Sequence, residues 1–135
     1  MYKFYSDGGS RGNPGHSAFA IVVVKDGKVI HEYSEFLGVH TNNYAEYRGL
    51  IANLTYAVKN GIKEAEFIMD SQLVIMQMRG QYKVKSESVM ELYQDAKTLA
   101  SFIPKITFTH VRRSEQYIPR ADALLNAEMD RHEND

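Results

Sequence analysis

The sequence predicts an α/β fold, a five-stranded mixed sheet with helices on both faces and the element order βββαβααβα. Two observations lead to this prediction. The first third of the chain alternates apolar runs with turn signals, as an antiparallel meander does. The remainder alternates short apolar runs with segments of helical periodicity, which is typical of strands that pair in parallel beneath covering helices.

The strands are recognised as apolar runs that end at turn residues or acids. The first runs from Tyr2 to Asp7, the second from Ser17 to Val24 and the third from Lys28 to Phe36. The second is apolar at both parities, which indicates burial on both faces, whereas the third is more polar, as edge strands are. Ala65 to Met69 and Lys105 to Val111 complete the sheet.

Four segments carry helix signals. Apolar residues recur in them every three or four positions, between polar capping residues and a glycine or proline. Glu46 and Asp122 are expected in the first turns of the first and last helices, and the capping-box spacing of Ser88 and Glu91 is expected to open the third. The helices are predicted between Thr41 and Gly61, from Ser71 to Arg79, from about Ser88 to Phe102 and from Ala121 to about Arg131.

Composition limits the kinds of protein this chain can be. Its 135 residues suffice for one domain, expected at residues 1–131 with a frayed charged tail at residues 132–135. The absence of cysteine excludes disulfides, thiolate metal sites and a cysteine nucleophile. No apolar run approaches the roughly 20 residues of a membrane span, and the first residues lack a signal-peptide pattern. We therefore expect a cytoplasmic monomer with no membrane partner.

The charge distribution leaves two interpretations open. The net charge of -1 neither requires nor excludes a nucleic-acid partner. Basic residues are nevertheless grouped, since Lys105, Arg112, Arg113 and Arg120 face the single acid Glu115 within residues 105–120. Such a group could form a local phosphate footprint on a neutral protein, or it could be an ordinary solvated face.

Four carboxylates are expected to meet at one edge of the sheet. Asp7 ends the first strand and Asp70 ends the fourth, so the two lie side by side if those strands are parallel neighbours. Glu46 and Asp122 stand near the starts of helices whose preceding loops can reach the same edge. Ligands of open α/β sheets bind there, outside the carboxyl ends of the strands.

A cluster of four acids would favour a metal site. The acids would repel each other and raise each other's pKa, a cost that a divalent cation removes. Oxygen-only ligands without cysteine point to Mg²⁺ or Mn²⁺. Two such ions about 4 Å apart can activate a water and stabilise the leaving oxygen in phosphodiester cleavage. The alternative is that these acids, four of seventeen in the chain, are turn and cap residues that never meet.

Each of the four acids lies within a distinctive segment of the sequence. The four segments are Ser6-Asp7-Gly8-Gly9-Ser10-Arg11-Gly12-Asn13-Pro14-Gly15, Thr41-Asn42-Asn43-Tyr44-Ala45-Glu46-Tyr47, Met69-Asp70-Ser71-Gln72-Leu73-Val74 and Arg120-Ala121-Asp122-Ala123-Leu124-Leu125-Asn126. These segments resemble those of type 1 ribonuclease H, in its short prokaryotic form without a basic protrusion. They occur in the family's order, and the predicted element order matches that fold.

The resemblance implies an endonuclease that hydrolyses the RNA strand of RNA–DNA hybrids with Mg²⁺ or Mn²⁺, leaving 3′-hydroxyl and 5′-phosphate ends. It implies that Asp7, Glu46, Asp70 and Asp122 are catalytic ligands of two metal ions, and that Glu46 also helps to hold the RNA 2′-hydroxyl. Double-stranded RNA is left open as a second partner. The positions that match nucleic-acid contacts in the family are Gly8, Gly9, Asn13, Asn42, Asn43 and Gln72.

Two departures from the family pattern bear on function. Only residues 81–86 intervene where other members carry a helix-rich basic protrusion, which implies hybrid affinity that is lower or carried elsewhere. Many members also place a mobile histidine in the loop before the last acid to aid product release. Here His110 ends the fifth strand, and the loop resembles a His-Val-Pro-Arg variant with Arg112 in place of proline. Either His110 or Arg113 is therefore expected near the cleft as an auxiliary group.

Three other functions stay open at this point. The same fold could bind hybrid or double-stranded RNA without cutting it, although all four acids are present. It could belong to a nuclease or strand-transfer relative with another substrate, which the set of Asn13, Asn42 and Asn43 disfavours. An enzyme that does not act on nucleic acid is disfavoured because the chain lacks a phosphate-binding fingerprint such as a P-loop.

Overall fold

A computed structural model describes residues 1–134 of the chain. Within that range it contains five strands and four helices in the order βββαβααβα, so the predicted element order is confirmed. The strands are β1 (Tyr2–Arg11), β2 (Gly15–Lys25), β3 (Lys28–His40), β4 (Glu64–Met69) and β5 (Lys105–His110). The helices are α1 (Asn42–Lys59), α2 (Gln72–Met78), α3 (Glu87–Ala100) and α4 (Ile118–Arg131).

The strands form one mixed sheet with the order β3-β2-β1-β4-β5. The pairs β1–β2 and β2–β3 are antiparallel, whereas β4 pairs in parallel with both β1 and β5. β3 lies at an edge of the sheet, as its polar sequence predicts. Because β1 and β4 are parallel neighbours at the centre, their carboxyl ends point to the same edge of the sheet.

Side chains of β1 alternate between two cores, one on each face of the sheet. Phe4 packs with residues of α1 and α3, such as Leu50 and Ala96, whereas Tyr5 packs with Leu125 of α4 on the other face. β2 is buried on both faces along residues 17–24, as its continuous apolar run predicts. The expectation of helices on both faces is therefore confirmed.

β1 continues beyond its predicted end at Asp7 and runs through two glycines to Arg11. Pairing with β2 explains the difference, since the antiparallel register persists from Gly8 opposite Phe19 to Arg11 opposite His16. The predicted glycine-rich turn is therefore confined to residues 12–14. β3 is likewise longer than predicted and reaches residue 40, because it pairs with the full length of β2.

Two helices begin earlier, relative to their acids, than the sequence suggested. α1 begins at Asn42, so Glu46 is its fifth residue and lies in the second turn. α4 begins at Ile118, because Pro119 is well accommodated in the first turn of a helix, where its missing N–H costs nothing. Asp122 is consequently also a fifth residue. The expectation that both acids occupy first turns is wrong.

The start of α3 also differs from the prediction. The helix begins at Glu87 after the N-cap residue Ser86, so the capping box expected from Ser88 and Glu91 does not form. The hydroxyl of Ser88 instead pairs with that of Ser86 at 2.8 Å, which takes it away from the backbone N–H groups that a cap would bond.

The end of the chain contacts the sheet through His132. The imidazole of His132 stacks on Phe36 of β3 with ring centroids 4.1 Å apart. Asp135, the last residue of the tail predicted to fray, lies outside the described residues. None of the helices within residues 1–134 is both long enough and apolar enough to cross a membrane.

α1 lies directly against β1 where Gly8 faces Ala45. A Cβ on Gly8 would lie 2.5 Å from the carbonyl carbon and oxygen of Ala45 and 2.6 Å from the backbone nitrogen of Glu46. The neighbouring Gly9 has room, because the nearest atom to a Cβ there would be Cδ1 of Leu125 at 3.9 Å. Gly8 therefore sets the spacing between helix and strand, and Gly9 does not.

Alanine substitutions test whether Gly8, and not Gly9, sets the spacing between α1 and β1. Gly8→Ala should lower the free energy of unfolding by about 1–3 kcal/mol, because the added methyl group must displace helix backbone. Gly9→Ala is the matched control and should change it by less than about 1 kcal/mol. Urea unfolding followed by circular dichroism measures both. Equal losses in the two variants would contradict the close approach at Gly8.

Candidate active site

β1 and β4 bring two acids to one edge of the sheet. Tyr5 pairs in register with Ile68, and Asp7 and Asp70 each lie two residues farther along their chains. The strands are parallel neighbours, which is the condition under which the sequence placed these acids side by side. The two carboxylates therefore emerge at the same level of the sheet.

The helices add the other two acids from opposite faces of the sheet. Glu46 comes from α1, which packs on one face, and Asp122 comes from α4, which packs on the other. Together with Asp7 and Asp70 they line one open cleft of about 660 Å³. The structure thus brings together all four acids that the sequence singled out.

Asp7 is the most deeply buried of the four acids, with 8% of its surface exposed. Its Oδ1 accepts a hydrogen bond from the backbone N–H of Gly8 at 3.0 Å. Burial raises the pKa of Asp7 from its ordinary 3.8 to about 8, and the nearby carboxyl groups of Asp70, Asp122 and Glu46 add to the rise. Holding this carboxylate ionised in the cleft therefore costs free energy.

Ionisation of Glu46 and Asp70 is also made unfavourable by their surroundings. Burial raises the pKa of Glu46 to about 7, with Asp70 adding to the rise and contact with the Ser71 hydroxyl opposing it. Burial also raises the pKa of Asp70, against the attraction of Arg113. Nε of Arg113 lies 3.8 Å from Oδ2 of Asp70, but that side chain is 91% exposed. Solvent screens so exposed a cation, so much of the negative charge in the cleft stays uncompensated.

The donor set of the cleft fits a hard divalent cation. All four side chains offer carboxylate oxygens, which Mg²⁺ and Mn²⁺ prefer, and the chain has no thiol to compete. The raised pKa values of Asp7 and Glu46 reflect first their burial and then the nearby carboxyl groups, and a bound cation would favour the ionised form of both side chains. Among residues 1–134, no three acidic or histidine side chains already form a cage for an ion.

The segment that follows β5 forms one wall of the cleft. His110, Arg112 and Arg113 all line it, so both auxiliary candidates lie where the sequence placed them. Arg113 contacts Asp70, and His110 also lies near enough to Asp70 to oppose the rise of its pKa.

Three of the residues expected to contact nucleic acid line the cleft, namely Gly8, Gly9 and Asn42. Oδ1 of Asn42 accepts a hydrogen bond of 2.7 Å from the backbone N–H of Ser10, which fixes the orientation of the amide. Asn13 lies behind it, with its Oδ1 accepting a bond of 3.1 Å from the backbone N–H of Asn42. The glycine-rich segment and the start of α1 therefore form one hydrogen-bonded rim.

The other two expected contact residues stand apart from this rim. Asn43 and Gln72 occupy the first turns of α1 and α2, and neither belongs to the cleft lining of the described residues. Nε2 of Gln72 lies 3.5 Å from the hydroxyl of Tyr82, in the short segment that precedes α3. Their position suits contacts outside the cleft rather than with the reacting group.

Sequence reasoning missed a tether between β1 and α4. Arg11 donates to Oδ1 of Asn126 at 3.2 Å and forms an ion pair with Asp130 at 2.7 Å. Nδ2 of Asn126 in turn donates to the carbonyl oxygen of Asp122 at 2.9 Å. Arg11 is therefore linked to the turn of α4 that carries the fourth acid. The signal available in the sequence was that Arg11 and Asn126 both fall within the segments of family resemblance.

Similarity to known proteins extends over most of the chain. A family model described as reverse transcriptase-like matches residues 5–124. The bifunctional protein Rv2228c of Mycobacterium tuberculosis is 46% identical over 127 residues, which are 93% of this chain and 34% of that protein. Ribonuclease HI of Halobacterium salinarum is 39% identical over 127 residues, which are 93% of this chain and 63% of that protein. The chain thus spans less than two thirds of the length of either relative.

Solved structures share the whole fold. The N-terminal RNase H domain of Rv2228c has a TM-score of 0.91 at 44% identity, covering 96% of this chain and 94% of that one. LC11-RNase H1, which was solved in complex with an RNA/DNA hybrid, has a TM-score of 0.91 at 35% identity, covering 99% of this chain and 100% of that one. Because both matched chains are ribonuclease H domains over nearly their full length, this chain belongs to the ribonuclease H family.

Proposed function

We propose that this chain is a metal-dependent endonuclease that cleaves the RNA strand of RNA–DNA hybrids. The observation that carries the proposal is the convergence of Asp7, Glu46, Asp70 and Asp122 on one open cleft at the carboxyl ends of two parallel strands. The hybrid bound by LC11-RNase H1, a relative matched over its full length, supports the same class of substrate here.

The four acids are proposed to bind two Mg²⁺ or Mn²⁺ ions, which when bound supply an activated water and stabilisation of the leaving oxygen. The protein's own contribution is to hold the carboxylates in place, through the strand register for Asp7 and Asp70 and through helix packing for Glu46 and Asp122. Water adds its oxygen to phosphorus, the bond to the 3′ oxygen breaks, and that oxygen takes up a proton. The products carry a 3′-hydroxyl and a 5′-phosphate.

The rim of the cleft is proposed to select RNA. A 2′-hydroxyl both donates and accepts hydrogen bonds, and it is the group by which a protein distinguishes RNA from DNA. Asn42 and Glu46 are four residues apart on α1, so their side chains stand one above the other on the same helix face. The bond from Ser10 engages the amide oxygen of Asn42 and leaves its Nδ2 as the donor toward a sugar or base edge. Gly9, where the space of a Cβ is open, would let a strand approach the backbone closely, while Gly8 holds α1 beside it.

Arg113 and His110 are proposed to aid product release. The long, exposed side chain of Arg113 can exchange its contact with Asp70 for one with a departing phosphate. His110 lies on the same wall of the cleft, where its imidazole can form a hydrogen bond to a phosphate oxygen. Either group would lower the affinity of the cleft for product without taking part in bond cleavage.

A cleavage assay tests the proposed substrate. Labelled RNA–DNA hybrid should be cut in its RNA strand with Mg²⁺ or Mn²⁺, and cutting should stop in chelator. Single-stranded RNA and duplex DNA are the control substrates and should remain intact. Double-stranded RNA, run beside them, tests the second partner. Binding of the hybrid without cutting, by protein shown to be folded, would contradict the proposed activity.

Asp70→Asn should abolish cleavage and leave the fold intact. It removes a charged oxygen donor from the cleft, and the rate should fall by at least about 100-fold, the scale seen when one group that stabilises a transition state is lost. Asp95→Asn, the same change on the exposed face of α3, is the matched control and should retain full activity. Single-turnover cleavage rates of the three proteins decide the matter, and substantial activity in Asp70→Asn would overturn the assignment.

Asp7→Asn should stabilise the protein in the presence of chelator. Between about pH 4 and pH 8 the folded protein retains a proton on Asp7 that the unfolded chain releases, so the stability of the wild type falls as pH rises. The asparagine variant lacks this dependence. At about pH 8 we expect its Tm to be higher by at least about 4 °C, equivalent to about 1 kcal/mol.

Scanning calorimetry at several pH values measures this difference. It should vanish as pH falls toward the ordinary pKa of the acid, and Asp95→Asn should show no such trend. A Tm difference that is independent of pH would show that the buried charge at Asp7 is not its cause.

A further inference from the structure

Asn53 is a polar side chain enclosed in the contact between α1 and β1. Its side chain is fully buried, at 0% exposure. Nδ2 donates a hydrogen bond of 3.0 Å to the backbone carbonyl oxygen of Tyr5, while Oδ1 has no partner. A buried acceptor without a partner costs free energy. An asparagine is therefore expected to stabilise the fold less than an apolar residue of similar size would at this position. Its presence calls for a reason other than stability.

The position of Asn53 supplies that reason. It continues a row of small residues, Ala45 and Gly49, that recur every fourth position and face β1. The backbone of Ala45 lies over Gly8, and a Cβ on Gly49 would stand 3.3 Å from the Cβ of Ser6. Contacts between small apolar surfaces have no direction and permit sliding. The hydrogen bond from Asn53 is directional and fixes how far along β1 the helix lies.

We propose that Asn53 is a positioning residue that sets the distance between Asp7 and Glu46 through its hydrogen bond to Tyr5. Tyr5 precedes Asp7 by two residues on β1, and Glu46 precedes Asn53 by two turns on α1. This bond therefore ties the strand that carries the first acid to the helix that carries the second at one end of their contact, as the bond from Ser10 to Asn42 does at the other. The consequence for cation binding rests on the proposed function, whereas the consequence for the geometry of the cleft does not.

Asn53→Leu separates positioning from stability. Leucine keeps the site filled and removes the unpaired Oδ1, but it also removes the donor to the Tyr5 carbonyl. These two effects oppose each other, so the urea midpoint should stay nearly the same. The affinity for Mn²⁺ alone, measured by calorimetry, should nevertheless fall about tenfold, the lower end of the loss seen when a group that orients a metal ligand is removed. In cleavage assays kcat should fall while KM for the hybrid stays the same, because the bonds of Asn42 to Ser10 and Asn13 still hold the rim.

Ser17→Ala is the matched control. Ser17 is also fully buried and its hydroxyl also bonds a backbone carbonyl, that of Gly38 at 2.9 Å, but this bond joins β2 to β3 and lies outside the cleft lining. The control should lose stability and keep the Mn²⁺ affinity of the wild type. An Asn53→Leu variant that binds Mn²⁺ as tightly as the wild type, or a control that loses affinity to the same extent, would overturn the proposal.

Two further measurements keep the test decisive. If Asn53→Leu does not fold, Asn53→Ala provides the same comparison with a smaller side chain. Amide hydrogen exchange at Asp7, Gly8 and Glu46 should accelerate in either variant and not in Ser17→Ala, and unchanged exchange would overturn the proposal. Failure of the wild type to bind Mn²⁺ or to cut hybrid would refute the proposed function alone, because exchange still reports on the role of Asn53.

Discussion

The contact of α1 with β1 is the constraint on which the cleft depends. Gly8 admits the backbone of Ala45 to a distance that any side chain would prevent. Interiors are packed closely enough that a single methyl group is felt, so this interface defines the spacing of helix and strand narrowly. Glu46, the residue after Ala45, therefore reaches the edge to which β1 delivers Asp7. A looser interface would keep the topology and separate the two carboxylates.

Much of the fold could be predicted because its signals are local. Apolar runs and turn residues mark the strands, whereas the parallel pairing of β1 with β4, on which the meeting of Asp7 and Asp70 depends, was left open by the sequence and is shown by the structure. The extension of β1 to Arg11 could not be predicted, because pairing with β2 overrides the local turn preference of glycine. The start of α4 was missed because Pro119 is typical both of loops and of first helical turns.

The candidate site could likewise be predicted only where its sequence signals are local. Its four acids could be identified because each stands near the end of an element within a recognisable segment. The links from Arg11 to Asn126 and from Asn53 to Tyr5 could not, since no local pattern connects residues so far apart in the chain. The size of the rise in the pKa of Asp7 could not be predicted either, because it depends first on burial, which is a property of the folded state.

The four acids are drawn from both layers that cover the sheet and from the strands between them. Glu46 belongs to the helix layer on one face, and Asp122 to the helix on the other. An intermediate in which only one layer has packed can present at most three of the four ligands. A cation that needs the full set would bind only molecules in which both layers are in place, and by mass action it would populate them at the expense of half-formed ones. The affinity for such a cation would therefore also measure folding cooperativity.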